Sequence, residues 1–115
     1  MESYAEDVDY TPKQVFELTR NGDLQLIDVR TAAEADAGRI SGDRHIELLE
    51  LQGQVETIDR DRPVIFYCRS GARSAMAAAA FQHAGFDAHN MSGGLLEWVA
   101  QGLPIDPADG YVADH

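Results

Sequence analysis

Residues 67–74 read YCRSGARS and hold the chain's only cysteine, Cys68. Arg69 and Arg73 lie within five residues of it, Ser70 and Ser74 bring hydroxyls, and Gly71 permits a tight turn. A thiolate is the nucleophilic form of cysteine, and nearby guanidinium groups or the free N–H groups of a helix N-terminus favour it. This combination of residue types suits a reactive thiolate in a pocket that favours negative charge. The competing reading is a buried thiol serving as a small apolar side chain, a frequent fate of free cysteine. The charge pattern favours the first. Twenty acidic residues face nine basic ones, for a formal charge of −11. Fifteen of the twenty precede Arg62, and none lies between Arg62 and Phe86, the window that holds the thiol.

The order of elements should place that thiol at the end of a strand. PVIFYC (residues 63–68) is an apolar run rich in β-branched and aromatic residues and reads as a central strand covered on both faces. The run after Gly71, through four consecutive alanines at 77–80, reads as a helix over 74–84 that lies close to the sheet and stops at Gly85. Upstream, LQLIDV (24–29) reads as a buried strand. Thr11 followed by Pro12 marks a helix start, with Gly22 as its stop. TAAE (31–34) has the form of a capping box. RHIEL (44–48) is a possible short strand. Leu48, Leu51, Val55 and Ile58 are spaced as a helix over 48–58. DAHNM (87–91) reads as a strand on the edge side, SGG (92–94) as a turn, and 95–101 as a last helix ended by Gly102 and Pro104. A first strand is possible within 3–10. Strands alternating with helices predict an α/β domain with a mostly parallel five-stranded sheet and helices on both faces, in a single unit over 1–115 with its core about 11–105 and short acidic ends. In such a sheet ligands bind at the carboxyl ends of strands, where Cys68 falls.

Composition narrows the partners. The acidic surface repels nucleic acid and anionic lipid, and suits a basic partner or a high-salt cytoplasm. No apolar run approaches the roughly 18 residues that cross a bilayer. Residues 1–12 are acidic and lack the apolar core of a secretory leader. One cysteine cannot form an internal disulfide, so a reducing, cytoplasmic setting is expected. No cofactor is called for, and His45, His83, His89 and His115 lack metal-ligand spacing. The SGG turn lacks the lysine of a phosphate loop, and Trp98 reads as packing rather than substrate contact. Arg30 and Glu34 stand four apart, which permits a local ion pair, and with Asp28 they form either a pocket wall or a structural cluster. With no obvious exposed apolar stripe, a monomer is expected.

Three stretches together resemble the rhodanese-like family of single-domain sulfurtransferases. LIDVRTAAEADAGRISG resembles its Asp-x-Arg strand end, the Glu four residues later, and its Gly-His-Ile-x-Gly segment. VIFYCRSGARSAMAAAAFQHAGF resembles its active-site loop and following helix. NMSGGLLEWVAQGLPI resembles its closing Gly-Gly-x-x-x-Trp segment. The resemblance implies that Cys68 is the nucleophile and carries a persulfide. It also implies that Arg69, Ser70, Gly71, Ala72, Arg73 and Ser74 bind the anionic donor and the persulfide, with Asp28, Arg30 and Glu34 in support. The implied reaction takes a sulfane sulfur from a small anionic donor such as thiosulfate. It passes the sulfur to an external thiol or protein acceptor, because no second cysteine can resolve the persulfide within the chain. Two alternatives stand beside this: a non-catalytic rhodanese-like binding module, and a cysteine-dependent phosphatase or arsenate reductase. The last group places five residues between Cys and Arg, whereas four separate Cys68 from Arg73. Arg39 stands where the family usually has His, Asp43 where Ala is common, and Glu47 where Pro is common. These departures bear on substrate preference or structure.

Overall fold

Val64, Ile65, Phe66 and Tyr67 form β4 (Val64–Tyr67), and all four have no solvent exposure. The computed structural model describes residues 9–22 and 24–114. On one side of β4 lie β2 (Gln25–Asp28) and, beyond it, β3 (Arg44–His45). On the other lie β5 (Ala88–Met91) and, outermost, β1 (Asp9–Tyr10). Every pairing is parallel, so the carboxyl ends of all five strands share one edge of the domain. β5, expected on the edge side, is covered by the two residues of β1 and is buried throughout. The rest of the stretch 3–10 lies outside the described residues.

Alternation along β4 builds two cores. Val64, Phe66 and Cys68 belong to one layer, with Ile27, Val29, Ala77, Ala78 and Phe81. Ile65 and Tyr67 belong to the other, with Val15, Leu26, Met91, Leu95 and Trp98. The first layer is roofed by α3 (Ala72–His83) and by residues 48–57. The second is roofed by α1 (Pro12–Asn21) and α4 (Gly94–Ala100). Both faces of the sheet are therefore covered, as an all-parallel sheet requires. A short α2 (Ala32–Ala37) connects β2 to the loop before β3.

The capping signals operate as read. Thr11 and Gln14 close a capping box at α1, and Thr31 and Glu34 close another at α2. The helix expected over 48–58 is present as 3₁₀ turns over Leu48–Thr57. Leu48 and Leu51 recur at three residues, a spacing that fits the 3.0-residue turn, and Gly53 interrupts the segment. The helix expected over 74–84 begins two residues earlier, at Ala72. Trp98 is buried, edge-on to Phe16, and its Nε1–H donates to Pro104 O at 2.8 Å. A side chain of this size contributes on the order of 1.5–3 kcal/mol by its burial.

Candidate active site

Cys68 follows the last residue of β4, and α3 begins four residues later. The turn between them is made at Gly71, whose φ of +102° is a left-handed conformation that strains an L side chain. A Cβ there would also meet Gly93 N at 3.3 Å. The loop folds back so that Gly71 N–H donates to Cys68 Sγ at 3.1 Å. The Ser74 hydroxyl lies 3.4 Å from it, and the N–H groups of Ser70 and Ser74 add to the field that favours its thiolate. The sulfur therefore sits in a ring of donors at the N-terminus of a twelve-residue helix, where the helix dipole favours negative charge.

Cys68 is fully buried. Burial is the largest single influence and pushes its thiol up. The Ser74 hydroxyl and the N–H groups of Ser74, Gly71 and Ser70 together outweigh it and hold the thiol below its ordinary value of 9.0. The Ser74 hydroxyl has one proton and two acceptors, Cys68 Sγ and, at 2.5 Å, Asn90 Oδ1. Asn90 Nδ2 in turn reaches Asp9 Oδ1 at 3.4 Å, which fixes the amide at the carboxyl end of β5. Sequence reading passed over Asn90. An amide side chain one residue before the end of the strand that follows the cysteine's own helix is the signal that could have found it.

Each arginine of the loop has a carboxylate partner. Arg73 makes a two-pronged pair with Glu34, at 2.8 and 2.9 Å. Arg69 Nη2 pairs with Asp114 at 2.9 Å. Arg30, at the i, i+4 spacing from Glu34, pairs instead with Asp28 through Nε (2.9 Å) and Nη2 (2.8 Å), both side chains fully buried. Its Nη2 also donates to Gly38 O. Thus Glu34 reaches the cysteine loop through Arg73, whereas Asp28 and Arg30 brace the backbone on the way to the loop before β3. Ser70 and Ala72 are exposed, and the Ser70 N–H is among the groups that lower the Cys68 thiol.

The SGG turn supports the loop with its backbone. Leu95 N–H donates to Cys68 O at 2.9 Å and Leu96 N–H to Arg69 O at 3.0 Å. The first free N–H groups of α4 are thereby committed to the carbonyls of the cysteine loop. The approach is so close that a Cβ on Gly94 would lie 2.4 Å from Arg69 O, and φ there is +63°. The three departures at 39, 43 and 47 also resolve. Arg39 and Asp43 pair with each other at 2.6 Å, and Asp43 accepts a hydrogen bond from Tyr67 at 2.5 Å, on the opposite face of β4 from Cys68. Glu47 caps the 3₁₀ segment through its carbonyl, which accepts Glu50 N–H at 2.8 Å. None of the three is bonded to the cysteine loop. Among the described residues no group of three or more His, Cys, Asp or Glu could hold a metal ion, and no helix is long and apolar enough to cross a membrane.

A family model described as "Rhodanese-like domain" matches residues 11–101. The chain belongs to the rhodanese-like family. It is 37% identical over 89 residues to a protein named "Sulfurtransferase" from Allochromatium vinosum, covering 76% of this chain and 83% of that one. It is 35% identical over 100 residues to "Thiosulfate sulfurtransferase GlpE" from Pseudomonas aeruginosa, covering 86% and 89%. The crystal structure of a rhodanese-related protein from Thermoplasma volcanium has the same fold, with a TM-score of 0.79 over 85% of this chain and 96% of that one at 24% identity. This rhodanese-like domain has a five-stranded parallel sheet between two helical layers. At the carboxyl end of its central strand it holds one buried cysteine, positioned for persulfide chemistry.

Proposed function

We propose that the protein is a thiosulfate-type sulfurtransferase in which Cys68 is the catalytic nucleophile. The observation that carries this is the set of donors on Cys68 Sγ at the N-terminus of α3: the Gly71 N–H at 3.1 Å and the Ser74 hydroxyl at 3.4 Å. Such a set stabilises a thiolate, and after reaction it stabilises the terminal sulfur of a persulfide, which is also an anion. The Cys68 thiolate attacks the outer sulfur of an S–SO₃ donor. The donor's S–S bond breaks and its electron pair leaves with sulfite. The enzyme then holds Cys68–S–S⁻. An external nucleophile, a thiol or cyanide, attacks the outer sulfur, and the electron pair of the cysteinyl S–S bond returns to Cys68. Both half-reactions are displacements at sulfur, with no net oxidation of the protein.

Arg69 to Ser74 form the binding loop in this reading, but with divided duties. Backbone donors face the sulfur, while Arg73 is held by Glu34 and acts as a brace. A phosphatase would need a loop arginine free to clasp a phosphoryl group, and the Arg73 fork is occupied. The setting fits a cytoplasmic, monomeric enzyme that hands sulfur to a thiol on another molecule.

Intact mass after brief exposure to thiosulfate tests the proposal. The expected result is a gain of one sulfur on the wild type, removed by later cyanide, and no gain on Cys68→Ser. An unchanged wild-type mass under these conditions and with an organic persulfide would refute it.

A further inference from the structure

Both arginines of the cysteine loop carry a carboxylate partner, but the two partners are built differently. Glu34 is buried, with 1% of its side chain exposed, and grips Arg73 with both oxygens. Asp114 has a side chain 91% exposed and meets Arg69 through a single 2.9 Å contact. The first is a fixed brace. The second is a solvent-exposed contact that an incoming anion can replace.

Asp114 is nonetheless delivered to this place by a segment that is tied down. Arg39 N–H donates to Asp106 O at 3.0 Å, and Asp106 N–H to Arg39 O at 2.7 Å. Tyr111 N–H donates to Ala37 O at 3.0 Å. Gly110 passes so near that a Cβ on it would lie 2.6 Å from Ala37 O. Val112 packs against the core that contains Trp98. The backbone leading to Asp114 is thus fastened along the residues after α2, and the carboxylate is presented to the loop. On the other side of the contact, Arg69 keeps a donor in reserve. Its Nε is shielded from solvent and has no acceptor among the described residues.

We propose that Asp114 is a specificity-determining residue: its carboxylate occupies the Arg69 guanidinium, competes there with the charged end of an anionic donor, and so weakens the preference for a dianion over donors of lower charge. A dianion that displaces Asp114 gains the Arg69 fork, including the unused Nε–H. A donor with less charge has less to gain from that exchange. This inference rests on the sulfurtransferase reading for its substrate. Its electrostatic content concerns only the approach of an anion to Cys68.

The test therefore has two parts. The first is the rate of Cys68 alkylation by iodoacetate divided by the rate with iodoacetamide, a ratio in which the thiolate fraction cancels. Asp114→Asn should raise the ratio about two- to fivefold, the scale of an exposed ion pair. Asp109→Asn, which removes another exposed carboxylate of the same segment, should leave it unmoved. In an Arg69→Ala background Asp114→Asn should have no effect. An unmoved ratio in Asp114→Asn would overturn the proposal. So would an equal effect from Asp109→Asn, or an effect that persists without Arg69, since either would make it a matter of general charge. The second part is steady-state transfer from thiosulfate, a dianion, and from methanethiosulfonate, a monoanion with the same outer sulfur. Asp114→Asn should lower KM for thiosulfate by the same factor, lower it less for methanethiosulfonate, and leave kcat unchanged. Turnover with equal KM changes for both donors would overturn the proposal and leave sulfur transfer standing. No turnover from either donor in the wild type would strike at sulfur transfer alone, with the alkylation ratio still deciding the role of Asp114.

Discussion

Tyr67 and Cys68 are neighbours at the end of the central strand, both fully buried and both weak acids, yet the fold treats them in opposite ways. Burial is the first influence on each and pushes each toward its neutral form. Tyr67 faces the α1/α4 layer, where Asp28 and Asp43 add to that push. Its hydroxyl donates to Asp43 Oδ2 at 2.5 Å, and its titration moves far above its ordinary value of 10.0. Cys68 faces the α3 layer and meets N–H and O–H groups, and its titration moves down. Burial is common to both, so it does not distinguish a reactive group from an inert one. The sign is set by whether the group meets donors or carboxylates. The two sides of one strand end thus separate a chemical site from a structural one.

The strongest way to break this comparison is to substitute each residue in turn. Cys68→Ser should drop transfer by at least about 10³-fold with little change in unfolding midpoint, as for loss of a nucleophile. Tyr67→Phe should do the reverse. It removes the donor to Asp43 and the acceptor of Ile40 N–H (3.0 Å), so it should cost about 1–3 kcal/mol in chemical denaturation while sulfur loading of Cys68 persists. Equal losses of activity in both variants would show that the two faces are one functional unit.

A smaller change sharpens the comparison by removing one donor from the cysteine side. Ser74→Ala deletes the hydroxyl shared between Cys68 Sγ and Asn90 Oδ1. The thiolate should then form at higher pH, and iodoacetamide alkylation at neutral pH should slow about three- to tenfold, the scale of a typical net hydrogen bond. An unchanged pH profile would mean that the hydroxyl proton belongs to Asn90 and the backbone ring suffices.

How much of this was legible beforehand depended on sequence distance. The strand end at Cys68, the turn at Gly71 and the helix beginning there follow from a run of neighbours, so local propensity and apolar pattern carried them. Thr31 and Glu34 were legible as a capping box for the same reason. The partners of the charges were not. Arg30 and Glu34 have the spacing of a helical pair, but Arg30 lies just beyond β2, where the residue two back, Asp28, is within reach of its guanidinium. Freed from Arg30, Glu34 pairs with Arg73, 39 residues away, and Asp114 with Arg69, 45 away. Ion pairs at those separations are products of the fold and leave no periodicity in the chain. The helix over 48–58 was legible but its type was not: apolar residues three, four and three apart are compatible with an α-helix, whereas the segment, with Gly53 inside it, winds as 3₁₀ turns.

The smallest effect extends the comparison to the two carboxylates that hold arginines on opposite sides of β4. For Glu34, burial pushes the carboxyl up, but the Arg73 fork and the Thr31 N–H outweigh it and bring it to about 2, from an ordinary 4.5. A carboxylate lowered on folding contributes stability that is present above its unfolded value and is lost as pH falls from about 4.5 toward 2. For Asp43, burial pushes up and is not fully offset by Tyr67 and Arg39, so its titration stays above the ordinary 3.8. Its sign is opposite: the contribution is full below the unfolded value and is lost as pH rises through the folded one. Glu34→Gln should therefore cost on the order of 2–3 kcal/mol at pH 7 and nearly nothing near pH 2. Asp43→Asn should be more damaging in acid than at neutral pH, because only the protonated form of the native side chain is favoured by its burial. Urea unfolding of both variants from pH 2 to 7 gives two stability differences that should run in opposite directions with pH. Parallel curves would mean that Asp43, despite its burial, is held ionised by Arg39 much as Glu34 is by Arg73.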